Sequence, residues 1–180
     1  MDYPDAKSFI LHWGEMGTHW GVNRSVSQVH ALLYLSDHAL TADAIVDQLG
    51  LARSNVSTAL KELQGYGIVR RVHLEGDRRE HFVAEDDLWD MLMRIAAERK
   101  RREIDPTIAL LGELAAKMAR EGSAPQHLRD RITRMHEFVS TLGGWYEQVR
   151  CLPKPTLGTL MKLGSKVARF VSPGRSSSKK

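Results

Sequence analysis

The stretch from Leu40 to Ala84 leaves few alternatives for how it can fold. In LTADAIVDQLGLARSNVSTALKEL the apolar residues Ile45, Leu49, Val56, Leu60 and Leu63 fall at helical spacings on either side of Gly50-Leu51-Ala52. This predicts two short helices that share one small core across a Gly-containing turn. With Val56 taken as the inward direction and about 100° added per residue, Ala59, Leu60 and Leu63 stay inside. Ser54, Thr58 and Lys61 then point away, with Asn55 and Ser57 at the margins. Short hydrogen-bonding side chains and a cation on a free helix face are suited to base edges and phosphates in a groove wide enough for a helix.

The segment that follows reads as a hairpin. Gly67 is placed to end the second helix in a left-handed conformation. Ile68, Val72 and Leu74 alternate with neighbours on the opposite face, Glu75-Gly76-Asp77-Arg78-Arg79 makes the turn, and His81 to Ala84 return. Arg78 and Arg79 fall at the tip, where guanidinium groups can enter a minor groove or grip the backbone, and Asp77 can hold one of them in position. Two helices followed by such a hairpin predict a winged helix-turn-helix. The fold class expected is mainly α with a small β-hairpin, the winged unit being flanked by N- and C-terminal dimerisation helices.

Charge supports a polyanionic partner without requiring one. The net charge is +4 over 180 residues, and between Arg53 and Arg79 six basic residues face three acidic ones. Glu85-Asp86-Asp87 and Asp90 follow at once, so the positive charge is local. No apolar run is long enough to span a bilayer, and no basic and hydrophobic leader opens the chain, which points to a cytoplasmic protein with no membrane partner. One cysteine, Cys151, excludes an internal disulfide and a cysteine-rich zinc site. His12 and His19 lie seven apart with no third ligand at metal spacing. No phosphate loop, nucleophile elbow or carboxylate pair stands out, so no catalytic residue, metal or cofactor is expected, and the chain is not expected to be an enzyme.

The rest is helical by periodicity. Phe9, Trp13, Met16 and Trp20 recur at four, three and four residues in a helix from about Pro4 to Gly21. Ser25 is the candidate N-cap of the next, with Val26, Val29 and Leu33 inward. Leu88, Met91, Leu92 and Ile95 begin another that runs into Arg99-Lys100-Arg101-Arg102, and Asp105-Pro106 is the candidate cap and first turn of a helix carrying Ile108, Leu111, Leu114, Ala115 and Met118. After Pro125 a near-heptad stripe runs through Leu128, Ile132, Met135, Phe138, Val139, Leu142, Trp145 or Tyr146 and Val149. Pro153 and Pro155 end it, and Leu157, Leu160, Met161 and Val167 outline a last helix. Apolar stripes of this length predict a homodimer, with an intrachain bundle as the competing arrangement. The organisation expected is residues 1–24 as an N-terminal dimerisation helix, 25–90 as the winged DNA-binding domain, 91–171 as a helical dimerisation region and 172–180 as a disordered basic tail.

Three blocks, FILHWGEMGTHWG, LTADAIVDQLGLARSNVSTALKELQGYGIVRRV and GDRREHFVAEDDLWDML, resemble the MarR superfamily of bacterial transcriptional regulators, and within it the GbsR-type branch, over roughly Phe9 to Ile108. The resemblance implies a homodimeric repressor of double-stranded DNA operators. Carried over by position, Arg53, Ser54, Asn55, Ser57, Thr58 and Lys61 become reading-helix residues, and Asp77, Arg78 and Arg79 become an Asp-x-Arg wing. Ala52 departs from the pattern, standing where many relatives carry a capping Ser or Thr, so the reading helix is less well capped or starts later. The branch also implies a small-molecule effector, a quaternary ammonium for which Trp13, Trp20, Tyr34, Trp89, Trp145 and Tyr146 are candidate cage residues. The alternative function is a winged-helix module that binds a protein rather than specific DNA.

Overall fold

The computed structural model describes residues 4–122 and 124–163; the expected basic tail and Val167 lie outside them. Two compact units divide between Arg99 and Lys100. The first contains α1 (Pro4–His19), α2 (Arg24–Leu35), β1 (Leu40–Thr41), α3 (Ala42–Leu49), α4 (Arg53–Gly65), β2 (Val69–Val72), β3 (His81–Ala84) and α5 (Leu88–Arg99).

Its core is built where the apolar periodicity places it. Val29, Leu32, Ile45 and Val56 are the largest fully buried side chains, and they bring α2, α3 and α4 onto one centre. α2 buries every residue from Val26 to Leu33, so it is a central helix rather than an amphipathic surface one. Its N-cap is Asn23, whose side chain accepts from the Ser25 backbone N–H at 2.8 Å; Ser25 itself lies inside the first turn. α1 packs on α2 through two small residues. Gly14 and Gly17 are buried, and a Cβ on Gly17 would lie only 1.9 Å from Ser27 Oγ. This approach lets Phe9 and Trp13 reach the same core, so much of the α1 stripe is covered within its own chain, while Trp20 remains 49% exposed.

The sheet has one strand more than the expected hairpin. Its order is β1-β3-β2, all antiparallel, with Leu40 opposite Phe82 and Val69 opposite Ala84. Thr41 both ends β1 and caps α3, its hydroxyl accepting from the Ala44 N–H at 3.2 Å. Ile68 is buried but precedes β2, and Leu74 lies beyond it and is exposed. The inward strand residue is Val69, one position from the expected register, and such a slip exchanges the two faces of a strand.

In the second unit a π-helical segment (Lys100–Ile104) leads into α6 (Asp105–Glu121), followed by α7 (Gln126–Arg150) and α8 (Lys154–Leu163). Asp105 does not cap α6. The cap position is Ile104, already helical and without a side-chain bond, and the Asp105 carboxylate instead accepts from Lys100 Nζ at 2.7 Å. Lys100 Nζ also lies 3.1 Å from Glu147, Ile108 sits where a Cβ on Gly143 would come within 3.1 Å, and His136 stands likewise against Gly112. These pairings make α6 and α7 an antiparallel hairpin. The long stripe divides in two as a result. Ile132, Val139, Tyr146 and Val149 are half-buried, whereas Met135, Phe138, Leu142 and Trp145 are 49–62% exposed.

Candidate nucleic-acid interface

The reading-helix candidates share one outward surface. Arg53, Ser54, Asn55, Ser57, Thr58 and Lys61 are all exposed on α4, and Val56, Ala59, Leu60 and Leu63 are buried beneath them. The turn before the helix is fixed by Gly50, left-handed at φ 63°, whose N–H bonds the Val46 carbonyl at 2.8 Å. Ala52 occupies the N-cap position in an extended conformation with no side-chain bond, so of the two outcomes its presence implied, the helix keeps its start at Arg53 and lacks a cap. At the other end Gly67, φ 70°, donates to Gln64 O and Ile68 donates to Leu63 O, the paired bonds of a Schellman ending.

The hairpin tip is an ordered clasp. Arg79 donates to Asp77 Oδ1 from its backbone N–H at 2.9 Å and from Nε at 3.0 Å, and Nη2 donates to Oδ2 at 2.6 Å. These side-chain bonds first, and the backbone N–H next, hold the Asp77 carboxyl well below the usual carboxylate range. His81, buried at the base of the turn, lies with Nδ1 3.0 Å from the Arg79 carbonyl oxygen. Arg78 projects beside the clasp with no hydrogen-bond or ion-pair partner among the described residues.

Between α4 and the sheet lies a recess of about 600 Å³, lined on one side by Arg53, Ser57, Lys61 and Gln64 and on the other by Arg71, Arg79 and Glu80. Arg53 is paired with Asp43, and Arg71 with Glu80. Sequence reasoning missed Arg71 and Gln64. Arg71 shares a strand face with the buried Val69, so the observed register aims it at the recess, and no local pattern in the sequence shows that register. Gln64 continues the stripe Arg53, Ser57, Lys61 one turn further.

A second concavity, about 410 Å³ and almost wholly apolar, lies within the same unit, lined by residues of α1, α2, α4 and α5 and of the turns after α1 and α4, including Trp13, Trp20, His30, Tyr66, Met91 and Arg99. Of the expected cage residues only Trp13 and Trp20 line it, meeting edge to face at 5.5 Å. Tyr34 lines a smaller neighbouring recess, and Trp145 and Tyr146 belong to α7 of the other unit. His30 Nε2 is buried with no hydrogen-bond partner, and burial lowers the imidazole pKa to about 4. No group of three or more His, Cys, Asp or Glu side chains among the described residues is placed to hold a metal ion, and no helix of them is long and apolar enough to cross a membrane.

Residues 20–80, from the end of α1 through the wing turn, match the MarR family. The match covers 61 of the chain's 180 residues. The repressor GbsR of Bacillus subtilis (strain 168), an HTH-type transcriptional repressor, is 21% identical over 136 residues, which are 74% of this chain and 75% of that protein. A crystal structure of a transcriptional regulator aligns with a TM-score of 0.52 at 22% identity, covering 81% of this chain and 99% of the other, and so shares the fold. The chain is thus similar to HTH-type transcriptional regulators of the MarR family. Its three-stranded sheet and mainly helical content are those of a winged helix-turn-helix.

Proposed function

We propose that the protein is a homodimeric repressor that reads an operator with α4, grips the flanking backbone with Asp77, Arg78 and Arg79, and is tuned by a small molecule. The observation that carries the DNA reading is the unbroken polar face Arg53, Ser54, Asn55, Ser57, Thr58 and Lys61, rooted by four buried residues and bordered by a wing whose Arg79 is already oriented. Changing Ser54, Thr58 and Lys61 together to Ala should abolish preference for duplexes selected by the parent, since each base contact carries about 1–3 kcal/mol of discrimination. Arg78→Ala and Arg79→Ala should each lower the salt slope of binding by about one unit. Unchanged preference in a folded triple variant would sink the assignment.

The exposed side of α7 supports the dimer. Met135, Phe138, Leu142 and Trp145 recur at three, four and three residues. In an antiparallel pairing of two copies Met135 of one faces Trp145 of the other, and Phe138 faces Leu142. Patches of this kind are rarely left to water. The effector reading rests on the 410 Å³ concavity, a volume suited to a small ligand. Its tryptophans offer ring faces to a quaternary ammonium, but among the described residues Arg99 is the one charged side chain lining it, and a cation would meet like charge there. The concavity therefore favours an uncharged or anionic effector over a quaternary ammonium.

A further inference from the structure

We propose that Arg71 is an additional phosphate-binding residue of the DNA face and that Glu80 competes with phosphate for it, setting the sequence-independent part of the affinity. The proposal rests on the DNA reading above and adds a residue pair to it. The β2–β3 register places Arg71 opposite Phe82, and Glu80, two residues before Phe82, shares that face. Both therefore open on the recess whose other wall is the Arg53, Ser57, Lys61, Gln64 stripe of α4. A DNA backbone running between reading helix and wing must cross this recess, because α4 forms one wall and Arg79 of the wing lies on the other.

The electrostatics of the recess are those of a guarded site. Four cations, Arg53, Lys61, Arg71 and Arg79, line it with two carboxylates, Asp43 and Glu80. Each carboxylate is bound to one arginine, Asp43 to Arg53 and Glu80 to Arg71. The Arg71 and Glu80 side chains are 49% and 53% exposed, so water screens their pairing and it is readily exchanged. A phosphate presents two oxygens to the guanidinium fork and can take the place of the carboxylate. The displaced Glu80 then stays beside a like charge, a penalty that every duplex meets whatever its sequence.

Binding to a random-sequence duplex, and to a duplex selected by the parent, should be followed across a salt titration. Arg71→Gln should weaken both by roughly three- to tenfold at low salt and lower the salt slope by about one unit, whereas Arg71→Lys should keep the slope. Glu80→Gln should tighten both by a similar factor and lose that effect in the Arg71→Gln background. A slope unchanged by Arg71→Gln while Lys61→Ala lowers it would overturn the proposal and leave the DNA reading intact. A changed preference between the duplexes at constant slope would make Arg71 a base contact and also overturn it. A parent with no salt-dependent binding to either duplex would remove the DNA reading itself. Thermal melting of each variant verifies that the sheet persists.

Discussion

His30 is the residue whose burial has the clearest thermodynamic consequence. It lies beneath Trp13 and Tyr34, ring centroids 6.5 and 6.3 Å away, and its pKa falls from 6.5 to about 4 because the charged form is desolvated. The folded chain thus holds a neutral imidazole while the unfolded chain takes a proton near the ordinary value. Its contribution is fully present above about pH 6.5 and is lost as pH falls toward 4, since the unfolded state binds more protons in that window. The loss of stability between pH 7 and 4 should be smaller in His30→Gln than in the parent by up to about 3 kcal/mol. Denaturant titrations at the two pH values measure it, and equal losses would show that His30 is not held neutral. The same scale shows how far sequence carried the interface. All nine expected DNA-binding residues are half-buried or exposed on one unit, the six on α4 because outward direction on a helix follows from its own periodicity and the other three because they sit at the hairpin turn. Arg71 was not legible, because its direction depends on a strand register set elsewhere.

At the scale of elements, the same substitution should have opposite signs in two helices. Gly17 sits where α1 meets α2, and a methyl there would meet Ser27 Oγ at 1.9 Å; Gly17→Ala should destabilise the fold by about 1–3 kcal/mol through overpacking. Gly144 lies in the exposed middle of α7 with nothing within 4 Å of an added Cβ, so Gly144→Ala should stabilise by about 0.5–1 kcal/mol through helix propensity. Equal effects in urea unfolding would contradict the α1–α2 contact. The missing cap on α4 gives a further expectation. Ala52→Ser places an acceptor at an extended N-cap position and should add about 1 kcal/mol; an unchanged midpoint would mean that the first-turn N–H groups are already satisfied.

For the whole molecule, the outward stripe of α7 makes association the central expectation. Sedimentation equilibrium on the full chain should give a dimer at tens of micromolar, roughly the range of weak dimers, and Phe138→Lys, which puts a charge in the middle of a stripe where Phe138 is 61% exposed, should shift it to monomer while leaving helix content unchanged. Two reading helices held together bind as one bivalent ligand, so the same variant should lose tight operator binding yet keep the single-domain salt dependence. A parent that stays monomeric would leave α7 without its proposed partner.

By itself the sequence determined what is local. Helix spacing placed α1 through α7 and the outward face of α4; glycine's freedom at positive φ located the turns at Gly50, Gly67 and Gly76; and the Asp-x-Arg tip announced its own clasp, since Asp77 and Arg79 are two residues apart. Tertiary structure decided whatever depends on residues far apart in the chain. β1 is only Leu40–Thr41, too short for any period, and exists as a strand because β3 is there to pair with it. Packing against the core chose Val69 over the adjacent pattern that starts at Ile68, and with it the side of the sheet to which Arg71 belongs. The α7 stripe reads as one face in sequence, but docking on α6 takes Ile132, Val139 and Tyr146 and leaves Met135, Phe138, Leu142 and Trp145 outward. A helix period fixes which residues share a side, and only a packed neighbour fixes which part of that side is covered.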